Sequence, residues 1–110
     1  MIALTARVEA HPPQRRELVQ ALLQWSEGVR REEGAVSCHL SEDLENVAVF
    51  DLKASWANET SLRSHMRSER FGVLLGALQV LARPVRFEVL VPAEGSGVTP
   101  EGRFEREERG

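Results

Sequence analysis

Along residues 2–91 the apolar positions switch between two spacings, every second residue and every third or fourth, in an order that few folds accommodate. From Ile2 to Glu9 the residues alternate, with Ile2, Leu4, Ala6 and Val8 on one side and Ala3, Thr5, Arg7 and Glu9 on the other. That is the pattern of a strand with one buried face. His11-Pro12-Pro13 breaks it, and Pro13 suits the first turn of a helix, where a missing N–H costs nothing. From Pro13 to about Glu33, Leu18, Leu22, Trp25 and Val29 fall on one helical face, and Gly34 supplies the stop. Alternation returns in Val36, Cys38 and Leu40 against Ser37, His39 and Ser41. It appears again from Val47 to Trp56, where Ala48, Phe50, Leu52, Ala54 and Trp56 share a side. The polar stretch Glu42–Asn46 between these two runs predicts an antiparallel hairpin. Asn58 is a good cap for a short helix carrying Leu62, His65 and Met66. Ser68 caps the next, with Phe71, Leu74, Leu75, Leu78 and Leu81, and Arg83-Pro84 ends it. In a last strand Val85, Phe87, Val89 and Val91 alternate with Arg86, Glu88 and Leu90.

Strand, helix, strand, strand, helix, strand is the βαββαβ order. It predicts an α+β fold of the ferredoxin-like class, a four-stranded antiparallel sheet with the helices on one face. A chain of 110 residues has room for one domain, assigned to 1–91. The remaining 92–110 read as a polar C-terminal tail, spaced by Gly and Pro and then charged from Glu101 to Arg109, with too little apolar surface to order alone. The sheet face turned from the helices carries Thr5, Arg7, Glu9, Ser37, His39, Val49, Asp51, Lys53, Arg86 and Glu88. Such a charge-balanced surface is either solvated or complementary to its own copy across a two-fold axis.

Composition excludes several classes. The 17 acidic and 14 basic residues are interspersed and sum to −3, so no clustered basic face is available for a phosphate backbone and no nucleic-acid partner is expected. No apolar run approaches the roughly 18 residues that span a bilayer, and Met1–Leu4 does not read as a targeting segment. The expectation is a cytoplasmic protein with no membrane association. The single cysteine, Cys38, rules out an internal disulfide; it faces the core as an inert buried thiol. Cys38 and the three histidines lack metal-ligand spacing, so no metal site is expected. A phosphate-cradling glycine loop and a Ser–His–acid pattern are also lacking.

Phe50, Trp56 closing the same strand, and then Leu62, His65, Ser68 and Phe71 in the spacing L-x-x-H-x-x-S-x-x-F lead into the apolar helix and the last strand. Over Ile2 to Val91 this arrangement resembles the antibiotic biosynthesis monooxygenase family. The resemblance implies a homodimer, two sheets packed face to face into a dimeric α+β barrel, with a pocket between the helices and sheet of each protomer. It also implies cofactor-independent monooxygenase-like chemistry on a small aromatic or quinol-type compound. The alternative is a non-catalytic dimeric module of the same fold that binds a small apolar ligand or serves as a scaffold.

His65 is the candidate catalytic residue. An imidazole can take a proton from an acidic phenol, leaving an electron-rich anion that reacts with O2 directly. The other reading is a structural histidine, its ring nitrogen bonded to a backbone carbonyl. Phe50, Trp56, Phe71 and Phe87 are candidate flat walls for an aromatic ligand, while Trp25 reads as packing. Gly72 and Gly76 stand one turn apart inside a helix at a cost of about 1 kcal/mol each relative to alanine. They leave a smooth strip for close helix packing or, at Gly72, for a ligand. His39 points toward the presumed interface and His11 into a loop. Many relatives place Glu two residues before the strand-end Trp; here that position is Ala54, and the chain has no tyrosine. Haem-degrading relatives carry Trp where this chain has His65 and the iron-ligating His where it has Leu75, which sets that branch aside.

Overall fold

The computed structural model describes residues 1–91, so the tail assigned to 92–110 lies outside the described residues. The elements follow in the predicted order: β1 (Ile2–Glu9), a 3-10 turn (Pro12–Gln14), α1 (Arg15–Arg30), β2 (Ala35–Glu42), β3 (Val49–Trp56), α2 (Glu59–Met66), α3 (Glu69–Leu81) and β4 (Arg86–Leu90). The sheet order is β2-β3-β1-β4 and every neighbouring pair is antiparallel. Since β3 lies between β1 and β2, those two run parallel across it, and α1 spans them as the crossover of a split βαβ unit. Ile2 stands opposite Trp56 and Val8 opposite Phe50, which fixes which side chains share a face.

The inner faces of β1 and β3 supply Leu4, Val8, Leu52, Ala54 and Trp56. They pack against Leu18, Leu22, Trp25 and Val29 of α1 and against Leu62, Phe71, Leu74 and Leu78. Each large aliphatic or aromatic side chain removed from water contributes about 1.5–3 kcal/mol, and this stripe-to-face burial holds the helices to one side. On the open side His39 and Lys53 are exposed. Arg7 bridges Asp51 at 2.9 Å and also reaches Asp43. The Glu45 backbone N–H and then Arg7 hold the Asp43 carboxyl below the usual carboxylate range.

Several expectations need correction. Val36 is not inward: a bulge between Ala35 and Ser37 removes it from the alternation and leaves it 56% exposed. Cys38 does reach the core, where burial pushes its thiol up to about 11. β3 begins at Val49 rather than Val47, because the Val49 N–H bonds the Asn46 carbonyl at 3.0 Å and the Ala48 N–H the Asn46 side chain at 3.0 Å, closing a turn before the strand. On β4 the inward pattern holds at Phe87, which packs against the core, and fails beyond it. Val89 is 46% and Val91 69% exposed, since α3 turns Phe71, Leu74 and Leu78 toward the core and leaves this edge strand half covered. Leu75 and Met66 lie on the flanks of their helices and are exposed.

The helix predicted to run to about Glu33 ends at Arg30. Gly34 is responsible. It adopts φ +85°, a conformation that glycine takes without strain, and its carbonyl accepts from the Ala57 N–H at 2.8 Å. A Cβ there would lie 2.2 Å from the Ser61 hydroxyl. The turn is therefore pinned against the start of α2, and Glu32 sits within it.

Candidate functional site

Two caps set the joint that carries His65. The Asn58 side chain accepts from the Ser61 N–H at 2.9 Å and starts α2. Ser68 Oγ accepts from the Phe71 N–H at 3.2 Å, starting α3, and donates to the His65 carbonyl at 2.6 Å. Caps of this kind contribute about 1 kcal/mol each. The L-x-x-H-x-x-S-x-x-F spacing is thus one structural unit. Leu62 is core, Ser68 ties the two helices, and His65 and Phe71 turn inward with ring centroids 5.1 Å apart.

His65 is 1% exposed, yet both ring nitrogens are bonded. Trp25 Nε1 lies 3.2 Å from His65 Nε2, and Glu32 Oε2 lies 2.8 Å from Nδ1. An indole N–H can only donate. Nε2 is therefore the acceptor, and Nδ1 carries the proton given to Glu32. Glu32 also accepts from Trp56 Nε1 at 3.1 Å on Oε1 and from Arg70 Nη1 at 2.7 Å on Oε2. The Trp56 ring lies 4.9 Å from the imidazole, tilted by 32°. One carboxylate thus collects three donors, and the imidazole is boxed by Trp25, Trp56 and Phe71.

The structure brings together only some of the predicted site residues. His65, Trp56 and Phe71 meet, and Phe87 joins through Phe71 at 5.4 Å. Phe50 does not. Six residues along β3 from Trp56, about 20 Å at strand rise, it packs under the Arg15 guanidinium instead. Gly72 and Gly76 are not in close helix packing, for a Cβ built at either meets nothing within 4 Å. Beside His65, between helices and sheet, stand the rings of Trp25, Trp56 and Phe71. Trp25, however, also lines an open groove of about 510 Å³ between α1 and α3, together with Ala21, Gln24, Arg70, Leu74 and Ala77.

Three site members escaped the sequence reading. Trp25 was assigned to packing, and Glu32 and Arg70 carried no signal. A carboxylate does reach His65, from Glu32 in the turn that follows α1. Among the described residues no group of three or more His, Cys, Asp or Glu side chains is placed to hold a metal ion, and no helix is long and apolar enough to cross a membrane.

The family described as antibiotic biosynthesis monooxygenase matches residues 1–74 of the chain. Among curated proteins none matches. A Deinococcus radiodurans protein, provisionally named an antibiotic biosynthesis monooxygenase, superposes with a TM-score of 0.81 at 20% identity, covering 90% of this chain and 99% of that one. Rv0793 from Mycobacterium tuberculosis gives 0.75 at 25% identity, covering 86% and 97%. PA3566 from Pseudomonas aeruginosa gives 0.75 at 22%, covering 84% and 93%. What is shared with these proteins is the fold.

Proposed function

The chain belongs to the antibiotic biosynthesis monooxygenase family, and on that premise we propose that it is a monooxygenase-like enzyme for a small phenolic or quinol-type compound. Glu32 and His65 are its proton-handling pair. The observation that carries this is the orientation of His65. A carboxylate fixes Nδ1 as the protonated nitrogen, so Nε2 is the basic one, aimed at Trp25 in the groove wall. A substrate hydroxyl that replaces the indole N–H at Nε2 gives up its proton there, and Glu32 stabilises the imidazolium formed. The phenolate then holds electron density on the ring carbons ortho and para to its oxygen. O2 adds at one of these that carries hydrogen, that hydrogen leaves as a proton, and the O–O bond breaks. The balance is phenol plus O2 to quinone plus water: one oxygen atom stays on the ring, the other leaves as water, and the substrate supplies all the electrons.

One observation favours the scaffold reading instead: both nitrogens of His65 are already bonded within the protein and the ring is buried. His65→Gln separates the two. Its amide offers a donor and an acceptor but takes up no proton. Oxygen uptake with a naphthohydroquinone is expected to fall about 100-fold or more in this variant, with the melting midpoint held within a few degrees. Unchanged uptake would remove His65 from the mechanism, and no uptake by the wild type would leave the scaffold.

The assembly that suits this chemistry is a homodimer joined through the open face of the sheet. Support comes from the mixed charges on that face, Arg7, Lys53 and Arg86 with Asp51 and Glu88, a set that can complement its own copy. Light scattering at micromolar concentration is expected to give twice the chain mass; a monomer mass would defeat the barrel.

A further inference from the structure

We propose that the Arg70 guanidinium is a latch filling the slot through which a flat phenol passes from the α1–α3 groove to the Glu32–His65 pair. This rests on the reading of that pair as a phenol-handling site and adds its entrance and the residue that closes it.

The observation behind it is Gly28. A glycine inside a helix is less favourable than alanine, and Gly28 lies within α1 at a buried position. A Cβ built there would come within 2.0 Å of Arg70 Nε, 2.6 Å of Cδ and 2.8 Å of Cζ. The flat end of Arg70 therefore lies on the bare backbone of Gly28, with Nη1 donating to Glu32 Oε2 at 2.7 Å. Among the helical glycines this close approach is particular to Gly28, because Gly72 and Gly76 face open space.

Arg70 is the mobile partner. Its side chain is 39% exposed, against 15% for Glu32, so the guanidinium can leave for solvent while the carboxylate stays. When it swings outward it vacates a slot as thin as a guanidinium plane, and therefore as thin as an aromatic ring. The floor is Gly28. The inner end is Glu32 Oε2, which loses Arg70 as a donor and takes the phenol O–H in its place before the ring moves on to His65 Nε2. The outer end opens on the groove, whose Ala21, Leu74 and Ala77 are apolar and whose Gln24 and Ser68 are polar. The ligand class follows from these walls: a small, planar, uncharged aromatic molecule with one hydroxyl to donate. Burial of Glu32 among donors refuses a second carboxylate at the same place.

The test uses 4-nitrophenol, kept in its neutral form, in equilibrium dialysis against wild type, Arg70→Ala and the double variant Gly28→Ala/Arg70→Ala. Opening the latch removes a closed state that competes with the ligand, so Arg70→Ala is expected to bind about fivefold more tightly than wild type. In the double variant the new Cβ stands on the slot floor, and the gain is expected to vanish. Melting midpoints confirm that each variant is folded. An Arg70 that is only structural shifts the midpoint and leaves affinity unaltered. Arg70→Ala binding no more tightly than wild type overturns the proposal, as does a double variant that binds as well as Arg70→Ala. Because 4-nitrophenol is too electron-poor to react with O2, this result is independent of turnover. Tighter binding without naphthohydroquinone oxidation keeps the latch and removes the enzyme.

Discussion

Glu32→Ala is expected to lower folding stability by about 2–4 kcal/mol, a fall of roughly 10–20 °C in the melting midpoint for a domain of this size. The size of the effect follows from what is left behind. Removing the carboxylate strands the His65 Nδ1–H and the Trp56 Nε1–H, both buried, and frees Arg70 from its only carboxylate partner among the described residues. Unlike a surface ion pair, these donors have no water to turn to, since His65 and Trp56 are closed over by Trp25, Phe71 and each other. Glu32→Gln keeps the length of the side chain but offers one acceptor oxygen, and turns an NH2 group toward donors. It is expected to lose most of the same stability. Urea unfolding followed by circular dichroism measures both variants. Losses below about 0.5 kcal/mol, the range of ordinary surface substitutions, would mean that the three-donor assembly does not form in solution.

The same carboxylate shows where reading a sequence stops. The periods of two and 3.6 identify strands and helices, and their order identifies the sheet, because an alternating run can bury only one face and a crossover can return only one way. The motif led to His65, Ser68, Phe71 and Trp56 because each occupies a fixed step along α2, α3 or β3. Glu32 could not be reached in this way. A Glu-Glu pair after a helix reads as a solvated end. What turns Glu32 toward a histidine 33 positions later is the positive φ of Gly34, held by a contact to Ser61. Trp25 was placed correctly on its helical face, but hydropathy says nothing of where an indole N–H points. The glycines make the same point. Gly72 and Gly76 attract notice by spacing and touch nothing, whereas Gly28 is ordinary in spacing and lies under Arg70. Val36, Val89 and Val91 failed for a related reason: alternation predicts a side, and neither a bulge nor an uncovered sheet edge is written into it.

Trp56→Ala is expected to cost about 3–5 kcal/mol, enough to unfold a marginal domain at room temperature. Trp56 is fully buried at the end of β3. Its backbone pairs with Ile2 on one side and Ala35 on the other, and its ring lies against His65. Alanine there opens a cavity where both edges of the hairpin and α2 converge. Trp56→Phe keeps most of the packing and drops only the N–H to Glu32, so its cost is expected to be about 1 kcal/mol. The two losses have different causes, and a double-mutant cycle tells them apart. If the indole N–H stabilises the fold by donating to Glu32, Trp56→Phe costs much less in a Glu32→Ala background than in wild type, with a coupling of about 1 kcal/mol. Should it cost the same in both, Trp56 acts by volume alone, and Glu32 is held in its inward position by His65 and Arg70 without it.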